Sequence, residues 1–133
     1  MATELLNKVD ETSSDDLFAG LNPAPRVDGR TIRAQSSGTL KIKRGTIMAI
    51  SSVDNKIVPL GTTADGSSSE VLTPDCVLCD DIEVGTSDIN VPVYASGCFN
   101  ANRVITINSH TITAADKDKL RTYGIVLLAK ATI

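Results

Sequence analysis

At 133 residues the chain has the length of one domain, and a domain of that size buries about two-thirds of its unfolded surface. Aromatic residues are 3% of the chain with no Trp, so Val, Ile and Leu must build the core, and a base-stacking platform for nucleic acid is disfavoured. No apolar run approaches the ~20 residues that cross a bilayer, and Met1–Asp16 lacks the hydrophobic centre of a secretory signal, so a soluble protein made in the cytoplasm is expected.

The net charge of −3 hides a segregation. Six basic residues (Arg26, Arg30, Arg33, Lys41, Lys43, Arg44) lie between positions 26 and 44 against one acid, Asp28. Between Lys56 and Arg103 there is no basic residue and there are seven acids: Asp65, Glu70, Asp75, Asp80, Asp81, Glu83 and Asp88. Either these are two solvated faces, or basic and acidic parts complement each other between copies or with a partner.

In chain order, residues 1–37 read as an extended N-terminal arm. Asn22-Pro-Ala-Pro pushes the residues before each proline out of the helical region, and Ser13-Ser-Asp-Asp and Gln35-Ser-Ser-Gly offer little to bury. One helical turn is expected at Asp15–Ala19, with Ser14 as N-cap. Residues 38–133 then read as a compact β-rich domain. Thr39–Lys43 alternates as a half-buried strand does, and Gly45 permits a bend into a strand at Thr46–Ser51. Asp54-Asn55 turns the chain into Lys56–Leu60, where Pro59 must lie at an edge or end the strand. A loop over Gly61–Ser69 follows, then short strands at Glu70–Leu72, Cys76–Cys79, Ile82–Val84 and Ile89–Ala95. The spacing predicts a helix over Thr113–Tyr123, with Thr113 and Asp116 as a capping-box variant and Gly124 after the last turn. An apolar strand, Ile125–Ala129, closes the chain. The fold class is α+β, mostly β, with one late helix.

Cys76, Cys79, Cys98 and His110 are the candidate metal ligands, since three thiolates and an imidazole suit a tetrahedral zinc site. However, Val77-Leu78 is a strand dipeptide, and residues three apart on a strand face opposite sides. A second CxxC is missing, so buried reduced thiols are the expected reading and no cofactor is assigned. His110 is the single histidine, and no Ser sits in a G-x-S-x-G elbow, so no catalytic residue is nominated. Asp80, Asp81 and Glu83 lack the calcium-loop pattern.

Several motifs carry a family resemblance: Gly45-Thr-Ile-Met-Ala-Ile, Lys56-Ile-Val-Pro-Leu, Ala64-Asp65-Gly66, Tyr94-Ala-Ser-Gly-Cys-Phe, Ile112-Thr-Ala-Ala-Asp-Lys and Tyr123-Gly-Ile-Val-Leu-Leu. In order and spacing, from about Gly38 to Leu128, the chain resembles the head decoration protein D family of lambda-type phages. The resemblance implies a non-enzymatic cement protein on the outer capsid surface of the virion. It would sit there as a homotrimer, bind the major capsid protein and stabilise the expanded head against internal DNA pressure. It further implies an arm that adds a strand to the capsid protein, here assigned to Arg26, Arg30, Thr31, Ile32, Arg33, Gln35, Thr39 and Leu40. Neither nucleic acid nor membrane is an expected partner. The longer acidic N-terminus and the tail past Leu128 depart from the family pattern.

Overall fold

The computed structural model describes residues 17–20, 22–64 and 69–128. The described elements are β1 (Phe18–Gly20), β2 (Arg26–Ile32), β3 (Leu40–Ile42), β4 (Ile47–Ser51), β5 (Ile57–Pro59), β6 (Leu72–Leu78), β7 (Ile82–Val84), β8 (Ile89–Asn100), α1 (Ala114–Thr122) and β9 (Ile125–Leu128). The protein is therefore mostly β with one described helix, a small barrel-like domain.

The twelve-residue strand β8 organises it. Its first half alternates, with Val91, Val93 and Ala95 buried and Asn90 and Pro92 exposed. This half pairs with β2 from Ile32↔Ile89 to Val27↔Tyr94, and with β6 at Val77↔Tyr94 and Leu78↔Val93. β6 pairs with β4, β4 with β5, and β5 touches β2 at Ile32↔Ile57, which closes the ring. The second half of β8 leaves the ring and lies between β1, antiparallel at Phe18↔Phe99, and β9, parallel from Gly97↔Ile125 to Asn100↔Leu128.

Because successive side chains of a strand face opposite ways, the ring has two hydrophobic cores. Ile32, Met48, Ile57, Cys76, Leu78, Val91 and Val93 fill the inside, where the β3–β7 ribbon adds Ile42 and Val84. Ile47, Ala49, Val58 and Val77 pack on the outside against Leu17, Phe99, Leu120 and Ile125. Phe18, Tyr94 and Phe99 cluster there with centroids 5.0–5.7 Å apart, so three of the chain's four aromatic rings sit at one place.

The local reading of the helix holds. Thr113 Oγ1 accepts from the Asp116 N–H at 3.1 Å, and Asp116 Oδ2 accepts from the Thr113 N–H at 3.1 Å, a reciprocal capping box. Gly124 takes φ +89 after the last turn, and Leu120 is the single buried helix residue. β5 ends at Pro59, and Asn55 turns the chain with φ 58.

Four expectations change. The stretch expected as an arm through residue 37 is extended, but Arg26–Ile32 is a strand of the domain's own sheet, paired with β8 along its whole length with one register shift between Arg26 and Val27. The described part of the Asp15–Ala19 turn is not helical: Phe18 and Ala19 lie in β1, where pairing with β8 outweighs local propensity. The strands expected at Glu70–Leu72 and Cys76–Cys79 are largely one strand, carried past Pro74 by a register shift opposite Met48 and Ala49, a place where proline's missing donor is tolerated. β8 runs five residues beyond Ala95, to Asn100. Ser14, Asp65, Gly66 and Ala129 lie outside the described residues.

Candidate functional site

The residues assigned to the arm divide between a tethered stretch and an open strand edge. Ile32 is 1% exposed and belongs to the inner core, so it cannot be a contact residue. Arg33 forks onto Asp54, with Nε to Oδ2 at 3.0 Å and Nη2 to Oδ1 at 3.1 Å, and its Nη2 also reaches Glu70 Oε2. The Glu70 side chain is 2% exposed and accepts a second hydrogen bond from Ser51 Oγ at 2.5 Å. The Gln35 N–H donates to the Gly85 carbonyl at 2.7 Å, the Ala34 N–H to Asp88 Oδ1 at 2.7 Å, and Leu40 pairs with Val84 in the ribbon. Thr39 directly precedes that ribbon strand. From Arg33 onward, the stretch is fastened to the body.

Arg26 to Thr31 differ. On one side they pair with β8, while β5 meets β2 only at Ile32. Gly29 stands opposite Pro92, whose carbonyl accepts from the Cys79 N–H at 3.2 Å on the far side of β8. In an antiparallel ladder the N–H and C=O of one residue point the same way, so the Gly29 peptide groups face away from β8. They are met instead by neighbouring side chains. Asp28 Oδ1 accepts from the Gly29 N–H at 2.9 Å, and Arg30 Nη1 donates to the Gly29 carbonyl at 2.9 Å. Arg30 Nη1 also pairs with Asp28 Oδ2 at 2.8 Å, and its Nε donates to Asp75 Oδ2 at 3.1 Å, which ties the edge to β6. Thr31 Oγ1 donates to Asn90 Oδ1 at 2.7 Å. A concavity of about 310 Å³ lies over Gly29, Arg30, Thr31 and Asn90, and Val27 is 61% exposed.

The electrostatics follow the pairs. The Arg30 guanidinium and the Gly29 N–H hold the Asp28 carboxyl below its ordinary range, and Arg33 does the same for Asp54. Lys56 and the Ala34 N–H lower Asp88. Arg44 is also used internally, donating to the Cys79 carbonyl at 2.9 Å and to the Tyr94 hydroxyl at 2.6 Å with its guanidinium over the Phe18 and Tyr94 rings. Part of the charge complementarity visible in the composition is thus spent within one chain, through Arg30–Asp75 and Arg33–Glu70. Arg26, Lys41 and Lys43 remain exposed.

The metal-ligand candidates stand apart in role. Cys76 is fully buried in the inner core, and burial pushes its thiol well up; Cys79 lies just past the end of β6, with burial raising its thiol to about 11. Cys98 sits in β8 beside Gly20. His110 Nε2 lies 2.8 Å from Asp116 Oδ2, joining the loop before α1 to its capping box. Among the described residues, no three His, Cys, Asp or Glu side chains form a metal-binding group.

Sequence reasoning missed Asp28, Gly29 and Asp75 as parts of the edge. The available signal was Pro92, an internal proline that betrays which way its neighbour's peptide must face. No family model matches the chain, and no curated protein matches it.

Proposed function

We propose that the protein is a decoration protein of a phage head, bound as trimers to the outer surface of the expanded shell through its major capsid protein. The observation that carries this reading is the open edge of β2. Over Arg26–Thr31 it has one described neighbouring strand, and the outward peptide groups of Gly29 are capped by the side chains of Asp28 and Arg30 rather than by another described strand. Such an edge accepts an extended segment by main-chain pairing, with Val27 and the Thr31–Asn90 pair beside it to read side chains. The order of elements resembling the lambda-type decoration family supplies the partner and the threefold arrangement.

The action is binding, with no bond made or broken. Three edges engaging several capsid subunits convert weak contacts into strong attachment through effective concentration. Preference for the expanded form stabilises that form by linkage. Co-sedimentation with expanded and unexpanded heads tests the reading: binding to expanded heads only is expected, and no binding to either rejects it.

A further inference from the structure

β9 pairs with β8 on one side, and no described strand pairs with the other. That outer side forms a groove of about 160 Å³ against α1, with Ile125, Val126, Leu127 and Leu128 as floor and Lys117 and Arg121 on the helix wall. Leu128 is 51% exposed, unusual for the end of a core strand. Lys117 makes no ion pair among the described residues, and Arg121 pairs only with Asp118, where both side chains are 66% exposed and the pair is weak. The groove is therefore basic, apolar at its base, and bordered by unused strand backbone.

The chain carries a segment of matching chemistry. Residues 1–16 hold five acids (Glu4, Asp10, Glu11, Asp15, Asp16) against Lys8, and the apolar Leu5, Leu6 and Val9. The rest of the chain has twelve basic and eleven acidic residues, so this segment accounts for the whole net negative charge. It also starts close by. The Leu17 carbonyl accepts from the Asn100 N–H at 2.7 Å, and the Leu128 carbonyl accepts from the Ala101 N–H at 2.8 Å. The two residues thus flank the same end of β8, about 10 Å apart at two strand spacings. Sixteen residues reach up to ~50 Å.

We infer that the groove between α1 and β9 is the docking site of the chain's own residues 1–16. Lys117 and Arg121 meet its acids, and the β9 floor meets its apolar residues. Docking there covers a sheet edge that no described strand pairs and that would otherwise offer itself to other chains. The inference is independent of any capsid role.

Carbodiimide coupling in the full-length protein, which joins amines to carboxylates in direct contact, tests it. Peptide mapping should find Lys117 joined to an acid within residues 1–16, and mixing isotopically light and heavy protein should show that the link lies within one chain. The yield should fall several-fold in about 0.5 M salt, where charges more than ~4 Å apart are screened. It should fall likewise in Arg121→Glu, which keeps the coupling amine. Acids of residues 1–16 coupling to Lys41 or Lys43 instead, links found only between copies, or a yield indifferent to Arg121→Glu would each overturn the assignment.

Discussion

The carbonyl of Ile107 lies against Gly61 so closely that a β-carbon at Gly61 would overlap its oxygen and stand 2.9 Å from His110 Cβ. Gly61 also has φ +110, and its own carbonyl accepts from Asn108 Nδ2 at 3.0 Å. The end of β5 and the loop before α1 are thereby locked together, with the Ile107 N–H bonded to the Leu60 carbonyl at 2.9 Å. Gly61→Ala combines left-handed strain with a backbone clash and should cost at least about 2 kcal/mol. Calorimetry should record a melting temperature lowered by roughly 5–10 °C; an unchanged value would mean the two loops are not in contact.

Gly29→Pro separates the edge from the fold. The Gly29 N–H faces away from β8, and a β-carbon there meets nothing within 4 Å, so proline should leave the ladder and the melting temperature nearly intact. It removes the outward donor that an added strand would use. Head occupancy should drop while thermal stability does not. Undiminished decoration by this variant would remove the β2 edge from the proposal.

Deleting residues 1–37 should abolish folding rather than release a stable body. The deletion removes β1 and β2, opens the ring between β8 and β5, and bares the inner face of Val91, Val93 and Ile57. Far-ultraviolet circular dichroism and proteolysis will report it. A truncated protein that melts cooperatively at the wild-type temperature would show that β2 is dispensable.

Arg33 and Glu70 form a pair in which the acid is almost wholly covered. Arg33→Ala takes the guanidinium away from that covered carboxylate, which also accepts from Ser51 Oγ, and should destabilise by about 1–3 kcal/mol, discounted because Arg33 is partly exposed. Adding Glu70→Gln should recover part of the loss. Urea denaturation of the four-member cycle measures the coupling, and additive losses would mean the pair contributes nothing.

Acid should weaken the fold through its paired carboxylates. Asp28, Asp54 and Asp88 have folded pKa values below the ordinary 3.8. At Asp116 burial acts upward, but hydrogen bonds from His110 and Thr113 outweigh it and lower the value too. A lowered folded pKa means the unfolded chain binds protons first. The contribution is complete above the unfolded value and is lost as pH falls through the folded one. The melting temperature should therefore decline below about pH 4, modestly, because most of these groups are exposed. A rise in that range would show that the pairs do not stabilise the fold.

What the sequence determined by itself is local. Thr113, Asp116, Leu120 and Gly124 specify the helix through contacts spanning a few residues, and Asp54-Asn55 and Pro59 mark a turn and a strand end for the same reason. What the tertiary structure decided is non-local. Arg30 meets an acid 45 residues away, Arg33 meets acids 21 and 37 away, and Thr31 meets Asn90 across 59. The polar, proline-preceded stretch of β2 has little intrinsic reason to be a strand. It becomes one because β8 offers a ladder and the inner core needs a wall, and the energy of that pairing appears only once the ring closes.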